Sequence, residues 1–267
     1  MTPKQIQEGL QELRRSFEPI LHDSARHVLA EAVAGLSPFL GPRRFRRLGP
    51  VSQKWGYRIN PDNPLRFRSV MVDELGVPLW VDVYCVVEWD KDNAPPITQE
   101  IKIRAWSNHH EFLHDFELQA IDKPTPELVP CVQDVIDRMT GDGQTGRVIY
   151  RCHFDKANNA QSGPKYHVQF GGAPRSNECG WIPQVIDLPR IVQPPLDLIL
   201  TCELIAMNFY PRAYLEIRRN PTWQAVVYES QKNVLKEYYE NCGEQLRRFD
   251  IDEAGSLLEH LWNIPLD

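Results

Sequence analysis

No stretch of this sequence is apolar for long enough to span a bilayer. The best candidate, LDLILTCELIAMNFY (196–210), is shorter than the roughly 20 residues a span requires and carries Asp197 and Glu203. It reads as a buried helix, and no membrane association is expected. The amino-terminal MTPKQIQEGLQELRR lacks the apolar centre of a signal peptide, so the expected compartment is the cytoplasm. Cysteines stand at 85, 131, 152, 179, 202 and 242, scattered with no CxxC pair, and disulfides are not expected. Several lie in apolar runs, as reduced core thiols do. Positive charge is not in excess: the formal net charge is −6, so a general electrostatic grip on nucleic acid is not indicated. No GxxxxGK[ST] or GxSxG occurs. ATPase and serine hydrolase readings therefore lack a motif.

What is present is an ordinary globular composition, 42% hydrophobic and 25% charged over 267 residues, long enough for a sizeable core. Ile6, Leu10, Leu13 and Phe17 recur at helical spacing, and Ala25, Val28, Leu29, Ala32 and Val33 continue in a second helix after Pro19. From about residue 55 the period changes to two. LRFRSVMVDELG (65–76), PLWVDVYCVVEW (78–89), ITQEIKIRAW (97–106), GRVIYRCHFD (146–155) and KYHVQFGG (165–172) read as strands. Short helices are expected over 109–118 and 127–139. The remainder is helical, with Asn220-Pro221 as a cap followed by a proline at the first helical position, and with Asp250 capping a last helix. Helices, meander and helices in that order give an α+β fold with a central antiparallel sheet of about five or six strands. The expected division is an N-terminal helical segment with a basic linker (1–48), a sheet region with inserted helices (49–189) and a C-terminal helical segment packed on the sheet (190–267).

Three polar constellations are candidates for chemistry. His110-Glu111-Phe112-Leu113-His114 resembles the HExxH of helical zinc hydrolases: His110 and His114 would share one face and a metal, and Glu111 would act as general base. Asn108 three residues before Glu111 also makes a near capping box, which explains Glu111 without chemistry. The second constellation is a hairpin. Arg151, His153 and Asp155 share one strand face, and Lys165, His167 and Gln169 share another. A simple register sets His153 opposite His167, Asp155 opposite Lys165 and Arg151 opposite Gln169. Two histidines among cations can cleave a phosphodiester without metal, one as base and one as acid. With Asp155 the same pair could hold an ion. The bland alternative is a solvated sheet face. The third constellation, Asp82 with Glu100-Ile101-Lys102, resembles the D…ExK arrangement of magnesium-dependent nucleases, although Thr98 and Gln99 interrupt the expected apolar approach. Zinc and magnesium are thus the metals implied by particular motifs, and no cofactor at all is the default expectation.

Two surface signals concern partners. GPRRFRRLGP (41–50) gathers Arg43, Arg44, Arg46 and Arg47 around Phe45; these can meet phosphates of a nucleic acid or an acidic protein, or stay solvated. NFYPRAYLEIRRNPTW (208–223) is rich in aromatics and arginine, as protein interfaces are, although half-buried packing between helices explains it equally well.

YRCHFDK (150–156), PKYHVQFGG (164–172) and PPLDLILTCELIAMNFYP (194–211), in that order, resemble uncharacterised bacterial proteins encoded beside mobile-element and antiviral-defence genes. The resemblance implies a setting and no activity. The expected function is a non-catalytic or accessory subunit of a bacterial multi-protein assembly, with phage defence as the setting and a protein as the partner. The alternative is a hydrolase, a nuclease in the first instance, built on His153, His167, Asp155, Lys165 and Arg151.

Overall fold

A helix that opens with Thr2 and Pro3 has its first turn satisfied from the start. Thr2 Oγ1 accepts from the Gln5 amide at 3.3 Å, Gln5 Oε1 accepts from the Thr2 amide at 2.8 Å, and Pro3 contributes no surplus N–H. The resulting α1 (Pro3–Ser16) buries Ile6, Leu10 and Leu13, and α2 (Ala25–Leu36) buries Val28, Leu29 and Ala32. The computed structural model describes residues 2–39, 54–72, 77–92, 96–107, 147–157, 163–170, 191–247 and 262–263. The helices expected at 109–118 and 127–139 and the one after Asp250 lie outside the described residues.

The strands are β1 (Trp55–Ile59), β2 (Leu65–Arg66), β3 (Val70–Val72), β4 (Val77–Trp89), β5 (Thr98–Ser107), β6 (Arg147–Lys156), β7 (Gly163–Pro164), β8 (Tyr166–Phe170), β9 (Ile191–Val192) and β10 (Trp262–Asn263). Eight of them form one antiparallel sheet in the order β1-β4-β5-β6-β8-β9, with β2 and β3 also paired to β4; β7 and β10 pair separately. The fold is therefore α+β, with helices from both ends of the chain against a central antiparallel sheet. The single strand expected over 65–76 is two short ones. Between them the Phe67 amide still donates to Val81 O of β4, while the other edge bonds the α1–α2 connection: the His22 amide donates to Arg66 O and the Arg68 amide to Ile20 O, at 2.9 and 2.8 Å.

Period-two alternation sorts the sheet into two faces. Val81, Val83, Cys85 and Val87 pair with Ala105, Ile103, Ile101 and Gln99, and β6 continues the row with Cys152 and Phe154. All of these are buried on the helix side. Trp55, Tyr57 and Ile59 of β1 complete that face, with Trp55 and Trp89 stacked at 4.6 Å. Cys85, Cys152 and Cys202 are buried free thiols, in keeping with the apolar runs that hold them.

Three helices close the core: α3 (Leu198–Phe209), α4 (Pro211–Arg219) and α5 (Pro221–Arg247). Asp197 caps α3, accepting from the Leu200 amide at 2.9 Å. Asn220 caps α5 as expected, accepting from the Thr222 and Trp223 amides. Trp223 is fully buried and meets Phe17 edge-on at 4.7 Å, which locks α5 to α1. No described helix is long and apolar enough to cross a membrane.

Gly56 lies against the backbone of β4. A Cβ there would lie 2.1 Å from Val87 O, a backbone atom with no room to yield. Gly56→Ala is therefore expected to break the β1–β4 ladder at the Gly56–Glu88 pair and to lower the midpoint of urea unfolding. Hydrogen exchange at the β1 amides checks this; a variant with wild-type midpoint and protection would contradict the register.

Candidate functional site

The sheet face turned away from the helices collects the polar residues of β2, β4, β5, β6 and β8. Two rows organise it. Arg66, Asp82, Arg104 and Arg151 follow one another across β2-β4-β5-β6, and Tyr84, Lys102, His153 and Gln169 do so across β4-β5-β6-β8. The second and third constellations read from the sequence are thus one surface.

Asp82 is the hub, with 0% exposure. Its Oδ1 accepts from Arg66 Nε at 2.8 Å. Its Oδ2 accepts from Arg66 Nη2 at 3.1 Å, Arg104 Nη2 at 2.8 Å and Trp106 Nε1 at 2.9 Å. The Arg66 guanidinium also lies 4.8 Å from the centre of the Trp106 ring. A buried carboxylate needs this much compensation, and here two arginines and an indole supply it. The metal-nuclease reading fails on register. Asp82 stands opposite Arg104, whereas Glu100 stands opposite Val86, four residues along the strand. At about 3.3 Å per residue the two carboxylates are offset by roughly 13 Å, too far to share one ion. Lys102 instead approaches Glu100 of its own strand at 3.5 Å.

The hairpin constellation is partly as expected. Arg151, His153 and Asp155 share a face with His167 and Gln169, but the register differs by two residues. His153 lies opposite Gln169 and Asp155 opposite His167, so the two imidazoles are diagonal neighbours and not a direct pair. Lys165 precedes β8 and is exposed, and the residue opposite Asp155 is His167 in its place. A two-residue offset preserves the face and changes every partner. Among the described residues no three His, Cys, Asp or Glu side chains converge as metal ligands, so geometry does not carry an ion held by His153, His167 and Asp155.

His153 has a defined state. Arg151 Nε donates to its Nε2 at 3.0 Å, so that nitrogen must hold a lone pair and the ring proton belongs on Nδ1. Arg151 also reaches Tyr84 Oη at 3.4 Å. Burial, then Arg151, Lys102 and His167, push the His153 imidazolium down to about pKa 3. A histidine that refuses a proton at neutral pH cannot be the general acid of a two-histidine mechanism, and its basic lone pair is already engaged. His167 is itself buried at 3% exposure, deeper than its place in the sequence suggests.

His110, Glu111 and His114, and the Arg43, Arg44, Arg46 and Arg47 stretch, lie outside the described residues. Reading the sequence misses the role of Asp82 as the centre of an ion network. The signal is there: Arg66, Arg104 and Arg151 fall on the same alternation parity as Asp82 once the strands are aligned. No protein-family model, curated protein or solved structure matches the chain.

Proposed function

We propose that this chain is a non-catalytic, accessory subunit of a bacterial multi-protein assembly. The supporting observation is large apolar side chains left in water on three successive helices: Met207 on α3, Leu215 on α4 and Tyr228 on α5, with 49%, 59% and 63% exposure. Methionine and tyrosine are enriched where proteins meet. The polar sheet face points the same way, because Asp82 and His153 are engaged internally. The antiviral setting rests on the resemblance carried by residues 150–211.

The test is the size of the native particle. Wild type from its own cells is expected to elute well above monomer mass with a defined partner. Leu215→Glu with Tyr228→Glu is expected to elute as a folded monomer with unchanged circular dichroism. A wild-type monomer in those extracts, or a double variant that keeps the partner, contradicts the proposal.

The hydrolase reading retains one observation in its favour: Arg151, His153, Asp155 and His167 share one sheet face. Under it, His167→Gln would abolish a chelator-resistant cleavage of RNA or DNA. Under the subunit reading there is no such cleavage to lose.

A further inference from the structure

Helices α1 and α5 run antiparallel, pinned by Phe17 against Trp223 and close again where Gly9 faces Val226, with a Cβ at Gly9 falling 3.7 Å from Val226 Cγ1. Between them lies a cavity of about 360 Å³. Its walls are Ile6, Ile199 and Val226, its aromatic surfaces are Tyr57 and Trp89, and Asp197 reaches it from the N-terminus of α3. Small-ligand sites have this size and this make-up, apolar walls with few polar groups.

The charged groups here are mostly acidic. Asp197 is 5% exposed, and its carboxylate accepts from the Leu200 amide at 2.9 Å and from Ser230 Oγ at 2.5 Å. Both donors are neutral, and no lysine, arginine or histidine among the described residues pairs with it. Asp82, the other fully buried aspartate, has two arginines. Glu8, Glu12 and Glu229 add three carboxylates to the lining against one arginine, with Glu12 engaging Arg15 at 3.4 Å and Glu8 engaging Lys4 at 3.6 Å. A buried carboxylate without a counter-ion is costly, and burial does push the Asp197 carboxyl upward. A cation entering the cavity would remove that cost while its carbon chain covers the apolar walls.

We infer that the α1–α5 cavity binds a small aliphatic amine, its ammonium directed to Asp197 and its carbon chain against Tyr57, Trp89 and Ile199. An anion of the same shape meets four carboxylates, and a neutral alcohol leaves Asp197 without its counter-ion.

The experiment is calorimetry of the full chain with hexylamine, 1-hexanol and hexanoate. Hexylamine is expected to bind at one equivalent, 1-hexanol at least about tenfold more weakly, and hexanoate not measurably up to about 10 mM. Asp197→Asn, which keeps an acceptor for the Leu200 amide, is expected to weaken hexylamine about tenfold or more and to leave 1-hexanol unchanged. Because Asp197 also caps a helix, Ala225→Leu is the second variant. It stands on the exposed side of α5, lines the cavity and should exclude hexylamine without disturbing the core. The inference is overturned if no hexylamine binds by about 10 mM, if 1-hexanol binds as tightly, or if affinity survives in Ala225→Leu.

Discussion

Asp82→Ala is expected to be the most damaging single substitution on the polar sheet face, lowering stability by roughly 3–5 kcal/mol. The magnitude follows from what is left behind. Asp82 has no exposed surface, and its removal takes away two bonds from Arg66, one from Trp106 and one from Arg104, whose side chain is only 15% exposed. Arg66 is the less buried arginine at 29%, and it can turn toward water. Arg66→Ala should therefore cost much less, because Asp82 keeps Arg104 and Trp106. Urea denaturation of the two variants gives the comparison. Equal losses would mean that Asp82 is one half of a simple pair and not the hub of a network.

The second large effect is acid sensitivity from His153. In the folded protein its pKa is pushed down to about 3, against an ordinary 6.5. Between those values the unfolded chain holds a proton that the folded one refuses, so protonation pulls toward unfolding. The contribution of His153 is fully present above about pH 6.5 and is lost as pH falls toward 3, at about 1.4 kcal/mol per pH unit inside the window. His153→Gln cannot take up that proton. It should flatten the pH dependence of stability below pH 6.5 by one proton's slope, whatever it costs at neutral pH. Parallel slopes for variant and wild type would show that the imidazole charges in the folded state.

Why the alternation finds the strands and not their partners is a matter of range. Val81, Val83, Cys85 and Val87 announce a half-buried strand because each residue reports its own face, and the helix-side face is as the pattern indicates. Asn220-Pro221 is equally local, one side chain capping the two amides that follow it. Register is not local. The hairpin sequence fixes parity, which is why Arg151, His153, Asp155, His167 and Gln169 fall on one face in sequence and structure alike, but turn geometry selects among registers two residues apart. The Asp82 network needs three strands aligned at once, and the break after Arg66 arises from bonds to the α1–α2 connection far away in sequence.

Binding subunit and hydrolase part company at a single ring. In an accessory subunit His153 is a neutral, Nδ1-protonated imidazole held by Arg151, part of the sheet's internal wiring. A nitrogen-15 NMR titration of the histidine side chains, with His153 assigned by comparison with His153→Gln, reads this directly. The expected result is a neutral ring with an unprotonated Nε2 that does not move between pH 8 and pH 5. A His153 that titrates near 6.5 would contradict the internal role of this ring and restore the acid–base pair with His167.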